Sequence, residues 1–306
     1  MDSKLTMQAA CGTPYLLKSI WNGTNDVHVF GKAGNVANVE PLVPLKLMEA
    51  LTPAHAFLDI GGNVGAYSLM AMQRTGRVLY VEMQPGCVAR FRCSLGRLGP
   101  DAVHPEILHG FVHSDAAAPD IRVPPDACGV MASPSAVLGR WPHGLELKAG
   151  RLLRKQSAEL VRAQTVSVSR LDLILRIPSA PLVVKVDTEG YEIHVLQQLK
   201  PVWGRIDAAV IEFQPSAWEH AGIGWDVGVR VVAEFAGGFC RVASLPHMER
   251  QTRSWRRAFP RGARDWMSGT VAQLDTTFRV HNVTEFLDRK HLLRRGQFKE
   301  LLFGAC

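Results

Sequence analysis

Short apolar runs alternate along the chain with stretches of helical periodicity. Ala56–Ile60 (AFLDI) reads as a buried strand, and a glycine-rich turn follows it. Leu69 and Met72 then recur at helical spacing. Val78–Val81 (VLYV) reads as a second strand, and a third is expected within Glu106–Val112. The pattern resumes with a strand at Leu182–Val186 (LVVKV), a helix carrying Ile193, Leu196 and Leu199, and a strand at Ala208–Phe213 (AAVIEF). A helix over Val227–Ala236, a strand over Phe239–Leu245 and a last strand over Val271–Phe278 complete the expected set. Continuous β-branched runs with helices between them predict an α/β fold whose parallel sheet is covered on both faces. Residues 116–164 are rich in Pro, Gly and charge and show no clean strand. They read as a loop or insertion with one helix near Leu152–Val161.

Composition adds a bound and an asymmetry. Across 306 residues, 47% are hydrophobic and 21% charged, which excludes global disorder and gives ample material for a core. The net charge of +7 is unevenly placed. Between His247 and Cys306 stand twelve Lys and Arg against six Asp and Glu, so the tail carries +6 and the body is near neutral. The tail has three readings. The first is a solvated surface. The second is a grip on an anionic acceptor or nucleic acid, with Trp255 and Trp266 among Arg253, Arg256, Arg257, Arg261 and Arg264. The third is a peripheral membrane contact by a helix opened by an Asn282–Glu285 capping box, with Phe286, Leu287, Leu293, Phe298, Leu301 and Leu302 along one face beside Arg289, Lys290, Arg294 and Arg295. That face is expected to pack on the sheet.

Six cysteines (11, 87, 93, 128, 240 and 306) form no CxxC pair and no cluster with zinc spacing. Reduced thiols are therefore the default expectation. No run approaches the roughly 18 apolar residues of a membrane span, and the start of the chain does not resemble a leader peptide. A cytoplasmic setting is the default expectation. The sequons at Asn22 and Asn282 are then read as accidental.

Candidate chemistry gathers at the carboxyl ends of the expected strands, where ligands of parallel sheets bind. The first strand runs into Asp59-Ile60-Gly61-Gly62-Asn63-Val64-Gly65, and the second ends in Glu82-Met83. An acid after the second strand is placed to accept hydrogen bonds from ribose hydroxyls, and the glycines allow a ligand to approach the backbone. The dinucleotide fingerprint would need Gly at 63 and 66, where the chain has Asn63 and Ala66. Asp59 also opposes a phosphate and suits a ligand with a cationic end. S-adenosylmethionine, with an ammonium, a sulfonium and no phosphate, fits that demand. The blander alternative is that Asp59 caps the next helix and the glycines form an ordinary turn.

Residues 57–69 (FLDIGGNVGAYSL) resemble the first motif of the FkbM family of S-adenosylmethionine-dependent methyltransferases. Val168–Leu175, Leu182–Leu196 (LVVKVDTEGYEIHVL) and Val210–Phe213 resemble that family's second block. The resemblance implies an α/β, Rossmann-like class I methyltransferase fold, a mostly parallel seven-stranded sheet with helices on both faces. It implies an N-terminal segment over 1–39, a methyltransferase domain over 40–246 and a basic extension over 247–306 packed on it. Asp59, Gly61, Gly62, Asn63 and Gly65 would line the methionine part of the cofactor. Glu82 would hold the ribose, Met83 would lie beside the adenine, and Ser114 and Asp115 near its amino group. Asp187 and Glu189 are the candidate bases, with His113 and His194 as outside choices. His194 is more simply a packed histidine, and Glu192 an acid complementing a helix dipole. Asp187, Glu189 and Glu212 could offer oxygen ligands, but no spacing requires a metal and none is expected.

The leading function is O-methylation of a hydroxyl on a sugar, glycan or small metabolite. The alternatives are an RNA methyltransferase gripping through the tail and a non-catalytic binding protein of this fold. No Asp/Asn-Pro-Pro-aromatic motif and no Pro-Cys pair is present, which disfavours the commonest base methylations.

Overall fold

The computed structural model describes residues 47–96, 98, 104–113, 122–123, 128, 164–165, 167–219, 221–239, 241–245 and 299–304. In chain order the strands are β1 (Ala56–Ile60), β2 (Val78–Glu82), β3 (Glu106–His109), β4 (Phe111–Val112), β5 (Arg122–Val123), β6 (Gln164–Thr165), β7 (Ser167–Val168), β8 (Leu182–Val186), β9 (Ile206–Phe213), β10 (Arg241–Leu245) and β11 (Lys299–Gly304). The helices are α1 (Ala66–Ala71), α2 (Pro85–Leu95), α3 (Arg170–Arg176), α4 (Glu192–Leu199), α5 (Pro215–Trp218) and α6 (Trp225–Ala236). One seven-stranded sheet has the order β10-β11-β9-β8-β1-β2-β3. Its pairs from β9 through β3 are parallel, and β11 runs antiparallel to both β9 and β10. This is the parallel sheet that the apolar runs predict, in the mostly parallel, seven-stranded Rossmann-like form that the family resemblance implies.

Side chains alternate across a strand with period two, and that alternation sorts the core into two. Leu58, Ile60, Leu79, Val81, Val184 and Val186 point to the face covered by α4 and α6. Phe57, Val78, Tyr80 and Val183 point to the other, under α1 and α2. Asp59, Glu82 and Lys185 share the parity of this second set. Each lies in or at the end of a strand buried on both faces, and each is itself buried. The polar groups of the site therefore collect on one side of the sheet by register alone.

Two expectations change. The apolar residues near the carboxyl terminus do not continue as one helix, because Lys299–Gly304 forms β11 between β9 and β10. Pairing on both edges satisfies its backbone and overrides the helical spacing read from Phe298, Leu301 and Leu302. The third expected strand divides in two, with β3 in the main sheet and β4 paired to β7. The expected strand over 271–278, the helix near 152–161 and the helix opened by Asn282 lie outside the described residues, as do Trp255 and Trp266.

Phe303 ties β11 to the core. It is fully buried, with its ring centroid 5.0 Å from Phe235 and 5.4 Å from Phe239. Phe303→Ala is expected to cost about 3–5 kcal/mol in urea unfolding, the range for a large buried aromatic. A loss below about 1 kcal/mol would contradict a core position for this strand.

Candidate functional site

From β1 the chain proceeds outward to β2 and β3, whereas β8 and β9 build the opposite side. The carboxyl ends of β1 and β8 therefore flank the point at which strand order reverses, the usual ligand crevice of an open α/β sheet. The two ends touch. Asp187 N–H donates to the Ile60 carbonyl at 2.9 Å. A Cβ on Gly61 would lie 1.7 Å from the Asp187 carbonyl oxygen, and Gly61 holds φ +77°. Gly62 leaves room for the Tyr80 ring, and Gly65, at φ +80°, for the Phe91 ring. The space that a Cβ would take at each of these glycines is thus filled by the protein itself.

Asp59 is completely buried. Its Oδ2 accepts from the Ser68 N–H at 3.1 Å and the Ser68 hydroxyl at 2.6 Å. It thereby satisfies one of the free N–H groups in the first turn of α1, so the capping reading holds for one oxygen. The other, Oδ1, has no hydrogen-bond partner among the described residues. Burial pushes this carboxyl upward from its ordinary value, against the pull of Lys185 and Ser68. Glu82 is engaged on both oxygens, accepting from Asn63 N–H and Gln84 N–H, each at 2.8 Å. Burial nonetheless raises it to about 7, over the opposing effect of those N–H groups.

Asn63 is therefore held from several directions. Its N–H is bound by Glu82 and its carbonyl by the Tyr80 hydroxyl, and its φ of 49° is left-handed. Asn tolerates that region better than most residues. Lys185, which the sequence reading missed, is buried with Nζ 2.9 Å from Asp187 Oδ2 and 4.6 Å from the centroid of the Tyr67 ring. Its signal was a lone lysine in an apolar strand, two residues before an acid and so on the same face.

The loop after β8 carries Asp187, partly exposed, and Glu189, at φ 53°. Gly190 follows at φ 106° and donates its N–H to Glu192 Oε1 at 2.6 Å. Glu192 does more than complement a dipole. It is fully buried, and its Oε2 also accepts from Trp218 Nε1 at 3.1 Å, tying the loop to α5. Burial raises Glu192 to about 7 as well.

His113 and His194 stack with centroids 4.5 Å apart in a buried cluster with Tyr191 and Phe111. His194 Nε2 lies 2.9 Å from the Ala221 carbonyl. Both histidines are thus packed in the core. Met83 is buried beyond Glu82, its carbonyl 3.1 Å from His109 Nε2. Ser114 and Asp115 lie outside the described residues.

The thiol expectation is overturned. Cys87, on α2, is disulfide-bonded to Cys128, with Cα atoms 4.7 Å apart at a sequence separation of 41. Cys93 is disulfide-bonded as well. The bridge rests on the cofactor-loop candidate Asn63, whose Oδ1 is 3.2 Å from Cys87 Sγ and 3.8 Å from Cys128 Sγ. A bonded sulfur has no proton to donate, so this is a packing contact. The thiol argument for a cytosol-like compartment falls with it. No helix among the described residues is long and apolar enough to cross a membrane.

Two measurements follow. A cross-link closing 41 residues is worth about 4 kcal/mol on the chain-entropy account, so Cys128→Ser should lower the thermal midpoint clearly. An unchanged midpoint would mean that the bond does not form in solution. For pH, Glu82 and Glu192 titrate near 7 in the folded chain against an ordinary 4.5. The folded state then holds more protons between those values, so their contribution is full below the lower one and is lost as pH rises through about 7. Glu192→Gln should therefore flatten the fall in stability between about pH 5 and about pH 7.5. A slope identical to wild type would contradict a raised Glu192.

Comparison with known proteins agrees with this architecture. The model of the methyltransferase FkbM domain matches residues 59–250. No curated protein matches the chain significantly. Solved structures with a similar fold include an rRNA methylase from Streptococcus thermophilus, at 11% identity and TM-score 0.33, covering 66% of this chain and 82% of that one. The cyclopropane synthase MmaA2 from Mycobacterium tuberculosis is 13% identical at TM-score 0.36, covering 85% and 81%. Geranyl diphosphate C-methyltransferase from Streptomyces coelicolor A3(2), solved with Mg2+, geranyl diphosphate and S-adenosyl-L-homocysteine, is 13% identical at TM-score 0.37, covering 85% and 76%. These faint likenesses add nothing to the topology. The family match spans more than half of the sequence, from the last acid of β1 to beyond β10: the chain belongs to the FkbM family of methyltransferases, and S-adenosylmethionine is its cofactor.

Proposed function

We propose that the chain methylates a hydroxyl group on a sugar, glycan or small metabolite, with Asp187 as the base. The observation that carries this reading is the Asp187 carboxylate at the end of β8. It adjoins the Gly61 turn, is 27% exposed, and is held through Oδ2 by the buried Lys185 ammonium at 2.9 Å. A hydroxyl must lose its proton as it attacks, and an oriented carboxylate can take it. Glu189, in the same loop, is the second candidate.

When bound, S-adenosylmethionine supplies an activated methyl group on a sulfonium. The residues present fit such a molecule. The unpartnered Oδ1 of the buried Asp59 suits a cationic amino-acid end. Glu82 spends two acceptor positions on Asn63 and Gln84, and an ionised carboxylate offers about four, which leaves capacity for ribose hydroxyls. Gly61, Gly62, Asn63 and Gly65 set the loop beside these groups. Met83 is assigned to the adenine surface. Ser114 and Asp115 are assigned to the adenine amino group on their sequence position alone.

An acceptor screen with methyl-labelled cofactor, covering glycans, hydroxylated metabolites and RNA, tests the substrate class. Label on hydroxyl oxygens is expected, and label confined to RNA bases would contradict the reading. Asp187→Asn should lower turnover about 10²-fold or more, the usual contribution of a base, while cofactor affinity stays nearly constant. Wild-type turnover in that variant would remove Asp187 from the chemistry.

A further inference from the structure

The Cys87–Cys128 bond has no part in the chemistry proposed above, yet it lies against the loop assigned to the cofactor. Helix α2 is the floor of that loop. Cys87 and Phe91 stand four residues apart, on one face of the helix. Phe91 fills the space at Gly65 and packs on Tyr80, with ring centroids 4.2 Å apart. Cys87 is fully buried, and its sulfur lies 3.2 Å from Asn63 Oδ1, with the Cys128 sulfur at 3.8 Å. The two sulfurs thus form one wall around the Asn63 side chain. Asn63 holds φ 49°, and a residue other than glycine stays in that region only while its surroundings fix it. Its backbone is fixed by Glu82 and Tyr80, and its side chain rests on the bridge.

The bond is also placed to be broken. Cys128 is partly exposed, whereas Cys87 is buried in the first turn of α2, where the helix end favours negative charge on a departing sulfur. An attacking thiolate therefore reaches Cys128, and the electron pair of the S–S bond leaves on Cys87. A second thiol then resolves the mixed disulfide. The two cysteines gain two electrons and two protons, and an external dithiol is oxidised to its disulfide. Two separate thiols cannot stay at bonding distance. Cys87 is held in the helix, so Cys128 is the one displaced, and the wall opens. The Cys87 thiol is a weak donor and does not replace it. We propose that the Cys87–Cys128 bond is a redox-modification site that sets cofactor affinity: a dithiol reductant that opens it loosens Asn63 and weakens binding, and reoxidation restores it. The proposal rests on Asn63 belonging to the cofactor loop, as placed above.

The test is calorimetric titration of the full chain with S-adenosylhomocysteine in three states: oxidised, reduced by dithiothreitol, and reoxidised with oxidised glutathione. Alkylation and mass spectrometry identify the cysteines opened, and circular dichroism sets a temperature at which both forms are folded. Reduction should weaken binding about tenfold, the scale of one left-handed position released, and reoxidation should restore it. Cys128→Ser should bind like the reduced chain and show no response to dithiothreitol, which separates this bond from that of Cys93. A chain open at Cys87 and Cys128 that binds within about twofold of the oxidised form, or more tightly, overturns the proposal and leaves the cofactor placement standing. A dithiothreitol response that persists in Cys128→Ser overturns it too, since another bond would then be responsible. A bond that resists dithiothreitol in the folded chain, or whose opening unfolds the chain at every temperature, is purely structural and overturns it as well. Failure of the chain to bind in either redox state overturns the placement and the proposal together.

Discussion

Two strand ends meet with no room for a side chain between them. The Asp187 carbonyl occupies the place where any residue but glycine at position 61 would put its Cβ. Gly61 also holds a φ of +77°, so both backbone conformation and space demand glycine. The Asp187–Ile60 hydrogen bond then seats the loop after β8 directly against the loop after β1. The candidate base and the cofactor loop are neighbours because of this contact. The parallel pairing of β1 with β8 brings the strands to it in register.

Register also decides the electrostatics. Asp59, Glu82 and Lys185 occupy the parity of their strands that faces α1 and α2, and Asp187 continues the parity of Lys185 beyond the end of β8. Three carboxylates and one ammonium thus share one side of the sheet. Desolvation opposes the charge on Asp59 and Glu82, and local hydrogen bonds only partly offset it. Such a crevice suits a ligand bringing a positive charge and hydroxyl donors, and it opposes a phosphate. Asn63 sits at its centre, bound through its backbone to Glu82 and Tyr80 and packed through its side chain on the Cys87–Cys128 bridge.

Much of this was legible in the sequence. The continuous apolar strands announced a parallel sheet, and the acid–glycine run from Asp59 together with Glu82 marked the candidate ligand site at its edge. Other parts were hidden for physical reasons. Lys185 looked like one polar residue in a strand until the alternation placed it beside Asp187. Glu192 looked like a surface acid at a helix start, and only tertiary packing puts Trp218 against it. The disulfide depended on two cysteines far apart in sequence meeting over Asn63. β11 was misread because Lys299–Gly304 carries its strand character in the partners on both edges rather than in its own pattern. The basic tail, which drew attention by charge, thus contributes an internal strand of the sheet.

The account stands on the claim that the cofactor lies across the carboxyl ends of β1, β2 and β8. A crystal structure of the chain with S-adenosylhomocysteine tests it most directly. The ribose hydroxyls are expected on the Glu82 carboxylate and the amino-acid end within hydrogen-bond distance of Asp59 Oδ1. A ligand bound elsewhere on the sheet, with Asp59 and Glu82 making only their internal hydrogen bonds, would contradict it.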